Sequence, residues 1–159
     1  MTEVKVDNLD CVNKYHKLLI YNIRFYTELK LIVMETTDKK CVYVLEDNAN
    51  IADIIEFLLV EELYEVKVCK NVSAFWQEMS AHKPDMVVLD VMLPDGNGLD
   101  ICNQLKRNVR THHIPVMVMS GNNYLSKVKS KCNAESYINK PFDLNDFMQR
   151  IDHYSQIRQ

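Results

Sequence analysis

A chain of 159 residues suits one compact domain with a short appendage and leaves little room for a second core. Its 47% hydrophobic and 26% charged content, with only three Gly and four Pro, excludes disordered and fibrous classes. The formal charge of −3 argues against nucleic-acid binding, which needs a clustered Lys/Arg surface.

Residues 1–40 are predicted to form a helical extension. Across 9–34, Leu19, Ile23 and Tyr26 make one apolar stripe, and Leu18, Phe25, Leu29 and Ile32 another. Such a helix must bury something: its own domain, a second copy in a homodimer, or a partner. It cannot span a bilayer, because Lys17, Arg24, Glu28 and Lys30 interrupt it before the roughly 18 to 20 apolar residues required. The N-terminus also lacks a signal-peptide pattern. Cys11, Cys41, Cys69, Cys102 and Cys132 stand singly, without a C-x-x-C pair, so spacing supports neither a zinc site nor a disulfide framework. A reducing, cytoplasmic setting is expected.

From Cys41 onward, short apolar runs alternate with longer amphipathic ones, the pattern of βαβ units and a parallel sheet. Strands are predicted at 41–45, 65–69, 86–89, 116–119 and 136–138. The third and fourth are near-continuous apolar runs, as central strands should be. Helices are predicted at 51–60, 73–81, 99–107, 125–132 and 144–154. Asn71, Asp95-Gly96, Pro115 and Pro141 punctuate the pattern, and Asn133 is expected to take a left-handed conformation at a helix end.

In an open parallel sheet, ligands bind beyond the carboxyl ends of the strands. The polar residues there form a set: Glu46-Asp47 after the first strand, Asp90 after the third, Ser120 after the fourth and Lys140 after the fifth. Three carboxylates at one edge repel, which raises their pKa values or draws in a cation. Oxygen-only ligands favour Mg²⁺, with coordination positions left for phosphate. A carboxylate such as Asp90 can attack phosphorus while Mg²⁺, Lys140 and Ser120 offset charge on the equatorial oxygens.

The motifs Val-Leu-Glu46-Asp47-Asn, Val-Val-Leu-Asp90-Val-Met-Leu-Pro94-Asp-Gly, Val-Met-Ser120-Gly121 and Tyr137-Ile-Asn-Lys140-Pro141-Phe142 together resemble response-regulator receiver domains. The resemblance covers residues 41 to about 155 in the expected order and is chemotaxis-regulator-like. It implies a flavodoxin-like, doubly wound (βα)5 α/β sandwich with a five-stranded parallel sheet in the order 2-1-3-4-5. Residues 41–159 would be the receiver.

The same resemblance implies a two-component phosphorelay role. Asp90 would be the phospho-acceptor, Asp47 a direct Mg²⁺ ligand, Glu46 an outer acidic partner, and the Met92 backbone carbonyl a further ligand. Lys140, preceding a cis proline, would contact the phosphoryl group. Ser120 would move to bond it and Tyr137 would turn inward, changing the face made by 125–132, 136–138 and 144–154. The phosphodonor would be a sensor histidine kinase or a histidine phosphotransfer protein, and the output a downstream protein target. A segment starting at Met34 resembles an ordinary receiver start, so residues 1–33 could derive from an upstream start codon. After Lys140-Pro-Phe only a final helix is expected, hence a stand-alone regulator that binds neither nucleic acid nor membrane.

Four positions qualify that transfer. Glu46 replaces the commoner Asp. Ser120 replaces Thr in many members, keeping the hydroxyl but losing a rotamer-restraining methyl. Met92 and Asn122 sit where dephosphorylation is tuned, and an apolar Met92 is poorly suited to orienting water, which predicts a long-lived phosphoaspartate.

Duller readings compete. A lone Asp after an apolar run is usually a turn or cap, and an aromatic such as Tyr137 is usually core. His16, His82, His112, His113 and His153 lack ligand spacing and read as surface residues. An enzyme of the haloacid-dehalogenase-like phosphatase class would need a second Asp where Met92 stands. A degenerate receiver would lack an acidic residue, the acceptor or the Lys, and a flavodoxin would carry a Ser/Thr/Gly-rich loop after the first strand. The expectation is a switch, not an enzyme.

Overall fold

In the computed structural model the chain divides into two units, Met1–Asp38 and Lys39–Gln159. The structure describes Ile20, Ile23, Phe25, Tyr26 and residues 39–121 and 130–156. In the first unit those four residues are helical and exposed. The rest of the predicted 9–34 helix lies outside the described residues.

The second unit is built on a sheet whose strands follow the alternation of the sequence. The elements are β1 Cys41–Leu45, α1 Ala49–Glu61, β2 Glu65–Cys69, α2 Val72–Ala81, β3 Met86–Asp90, β4 Met92–Leu93, β5 Gly96–Asn97, α3 Gly98–Arg107, β6 Val116–Ser120, β7 Ser136–Asn139 and α4 Leu144–Ser155. Five strands pair in the order β2-β1-β3-β6-β7, every ladder parallel. This is the expected order 2-1-3-4-5, because β4 and β5 form a separate two-residue antiparallel ladder.

Side chains on successive strand residues point to opposite faces. Val42, Val44, Met86, Val88, Met117 and Met119 pack on one face with Ile55 and Leu59 of α1 and Phe147 and Ile151 of α4. Tyr43, Leu45, Val87, Leu89, Val116 and Val118 pack on the other with Phe75 of α2 and Cys102 and Leu105 of α3. Strands β3 and β6 are buried throughout, whereas edge strand β2 alternates exposed and half-buried residues up to buried Cys69.

The starts of α1, α2 and α3 lie one or two residues upstream of the apolar periodicity because Asn side chains cap them, whereas α4 starts at Leu144 as expected, capped by Asp143. Asn48 accepts from the Asn50 and Ile51 amides, Asn71 from Ala74 and Asn97 from Leu99. Two expectations fail. Ser130–Lys131 form a turn, and the residues from Cys132 to β7 are irregular, so a helix reaching 132 is too long. Asn133 is not left-handed; among the described non-glycine residues only Leu63 has positive φ, at 68°, following α1. The remainder of the predicted 125–132 helix is outside the described residues.

Candidate functional site

Parallel strands deliver their last residues to a common edge. Asp90 and Ser120 are the final residues of β3 and β6, and Glu46-Asp47 and Lys140 immediately follow β1 and β7. The backbone ties these ends together: Glu46 N donates to Cys69 O, Val91 N to Met119 O, and Lys140 N to Ser120 O at 2.7 Å.

Lys140 Nζ stands 2.5 Å from Glu46 Oε2 and 3.0 Å from Asp90 Oδ2. Its ammonium therefore bridges two carboxylates, one of them 1% exposed. Burial pushes Glu46 above its ordinary carboxylate pKa, while the hydrogen bond and charge of Lys140 oppose that shift and the charge on Asp90 adds to it. Glu46 Oε1 also accepts from the Asn48 amide. Asp47 is exposed beside them, and ligand atoms of Glu46, Asp47 and Asp90 lie within 4.8 Å of one another. An all-oxygen set of that span fits a hard divalent cation.

Ser120 is buried, its hydroxyl donating to Gly121 O at 3.3 Å. Met92 projects outward at 73% exposure. The Lys140–Pro141 bond is cis. Tyr137 is half-buried against the α2–α3 side of the core; its hydroxyl accepts from Ala134 N and donates to Cys132 O. From β7 its ring thus reaches back to the segment that enters the strand. Asn122 is outside the described residues.

Two residues that shape the site carry weak sequence signals. Gly98 N donates to Val91 O, and a Cβ built on Gly98 falls 2.0 Å from the Asp90 carbonyl oxygen, so only glycine lets the chain return this close to Asp90. Asp95 crosses to α2, accepting from Val72 N at 2.9 Å and Ser73 N at 3.3 Å. A Gly two residues after Asp95-Gly96 was the available clue to the first.

The family model for the response regulator receiver domain matches residues 42–152. The chain belongs to this family. The receiver is 32% identical over 110 residues to the response regulator ArlR of Staphylococcus saprophyticus, covering 69% of this chain and 50% of that protein. It thus spans about half the length of that relative. Among solved structures, it resembles the signal receiver domain of a signal transduction histidine kinase from Syntrophus aciditrophicus, with TM-score 0.69 and 20% identity over 76% of this chain and 98% of that one. It also resembles the receiver domain of a sensor histidine kinase from Pseudomonas aeruginosa, which has a magnesium ion coordinated in its active-site cleft; the TM-score is 0.66 at 17% identity, over 75% and 99% of the two chains. Among the described residues of this receiver no helix is long and apolar enough to cross a membrane.

Proposed function

We propose that this receiver is a phosphorelay switch in which Asp90 accepts a phosphoryl group from a histidine kinase or histidine phosphotransfer protein. The observation that carries the reading is Lys140 bridging Asp90 and Glu46 at the strand ends. The Asp90 carboxylate oxygen forms the new P–O bond as the P–N bond of a phosphohistidine breaks, and the electron pair returns to the imidazole. Lys140, 3.0 Å from Asp90 Oδ2, can turn from it toward the incoming phosphoryl oxygens. The Ser120 hydroxyl exchanges its long bond to Gly121 O for a charge-assisted one to phosphate. Tyr137 would follow that movement as the switch residue, altering the surface around β7 and α4 for a downstream target.

Asp47, Asp90 and the Met92 carbonyl would hold magnesium, with Glu46 as an outer partner. Magnesium, when bound, supplies positive charge to the phosphoryl oxygens. The chain modifies itself and turns over no external substrate. Exposed Met92 offers an attacking water no polar partner. The phosphoaspartate is therefore expected to outlast a seconds-scale lifetime, and Met92→Asn to shorten it about tenfold, followed by decay of the phosphorylated mass.

An apolar groove of about 190 Å³ lies beside Lys140, lined by Ile51, Ile54, Pro141, Phe142 and Leu144. Residues 41–159 are read as the receiver, with 1–40 an addition to it, in a cytoplasmic protein. Incubation with Mg²⁺ and acetyl phosphate tests the reading by intact mass. The wild type should gain one phosphoryl group and Asp90→Asn none; an unmodified wild type would leave an inert binding module instead.

A further inference from the structure

Strands β6 and β7, which carry Ser120 and Lys140 at their carboxyl ends, are joined at their amino ends by an ion pair. The junction lies about 13 Å along β6 from Ser120, at four residues of strand rise. There Lys106, in the last turn of α3, donates to Ile114 O at 2.8 Å, His112 O at 3.3 Å and Glu135 Oε1 at 2.7 Å. Each proton of its ammonium thus has an acceptor. The side chain is 11% exposed, so its charge relies on those partners. The other oxygen of Glu135 accepts from Val116 N at 2.7 Å, and Glu135 N donates to Val116 O at 3.0 Å. One carboxylate therefore fixes the segment entering β7 to α3 and to the start of β6.

That segment is what Tyr137 holds on to. Residues 132–135 have no regular secondary structure, so side-chain anchors set their position. The Tyr137 hydroxyl accepts from Ala134 N at 3.0 Å and donates to Cys132 O. We propose that the Lys106–Glu135 pair is a latch that positions Tyr137 through residues 132–135 and thereby limits how readily this receiver takes up a phosphoryl group. The inference rests on the reading of Tyr137 as the switch residue.

Hydrogen bonds to groups that are already fixed order nothing further, whereas bonds to a loose segment must also offset the entropy of ordering it. With the pair intact, both bonds of the Tyr137 hydroxyl favour the resting ring. With the pair broken they weaken, and the inward ring gains population. An interaction that favours one packing biases the equilibrium between the two by that amount. Phosphoryl acceptance pulls on the same equilibrium from Ser120, so a held ring opposes it and a released ring assists it. A clamp that served stability alone would leave phosphorylation unchanged or slower when removed.

The test compares the full chain with Glu135→Gln, Lys106→Met, Tyr137→Phe and the double variant of Glu135→Gln with Tyr137→Phe. Two quantities are read: amide exchange at Ala134, which needs no phosphoryl transfer, and the initial rate of phosphoryl gain from acetyl phosphate and Mg²⁺ by intact mass. Glu135→Gln and Lys106→Met should each hasten Ala134 exchange and raise the rate about fivefold. In the Tyr137→Phe background Glu135→Gln should add nothing to the rate, because the hydroxyl bonds through which it acts are gone. Unchanged exchange at Ala134 overturns the latch whether or not the chain is phosphorylated. A phosphorylated chain whose rate neither single variant raises, or whose double variant shows additive effects, overturns it and leaves the role of Asp90 standing. No phosphoryl gain in the wild type strikes the Asp90 reading itself, and the latch with it.

Discussion

Asp90 depends on a residue with no side chain. A Cβ on Gly98 would lie 2.0 Å from the Asp90 carbonyl oxygen and 2.9 Å from its carbonyl carbon, and backbone atoms cannot rotate aside as a flexible side chain can. Gly98→Ala should therefore lower stability by on the order of 3 kcal/mol in urea denaturation, and disturb Asp90 along with it. An unchanged midpoint would show that β3 yields freely. The acidic set, Ser120 and Lys140 were legible in the sequence because each ends an apolar run. Their pairing was not. Glu46 was expected as an outer acidic partner of a metal; its burial against Lys140 is a relation that only the convergence of β1 and β7 creates.

Whole elements were easier to read than their ends. Strand β1 was recovered with its boundaries because Val42, Tyr43 and Val44 are β-favouring and flanked by polar residues. Three helices were read late because apolar periodicity marks what is buried, whereas Asn48, Asn71 and Asn97 set where hydrogen bonding begins; the last was read from its true start, Leu144. The β4–β5 ladder was missed, since two residues per strand carry no period. That ladder's turn holds Asp95, whose carboxylate accepts from two amides at the start of α2. Asp95→Ala is expected to cost about 1 kcal/mol of thermal stability and to speed amide exchange at Val72 and Ser73. Unaltered exchange at those two amides would remove the coupling between α2 and the ladder.

Across the whole receiver, the sheet carries a core on each face, and titratable groups buried in one of those cores make stability sensitive to alkali. Burial is the main reason that the Cys69 thiol, 2% exposed, is pushed up from 9.0 to about 11. Between those values the unfolded chain has lost a proton that the folded chain keeps. Stability therefore falls as pH rises through that window. Half-buried Cys41, also raised to about 11, acts in the same direction. Cys69→Ala should flatten the decline by on the order of 2 kcal/mol, read as the pH dependence of the urea midpoint from pH 9 to 11; an identical slope would contradict it. The two-faced sheet is also what brings four strand ends to one edge and makes Asp90 the center of the account. Its most direct test is to phosphorylate the chain with acetyl phosphate and Mg²⁺, reduce the acyl phosphate with borohydride, and sequence the peptides. Homoserine is expected at position 90; intact Asp90 with the modification elsewhere would overturn its assignment as the acceptor.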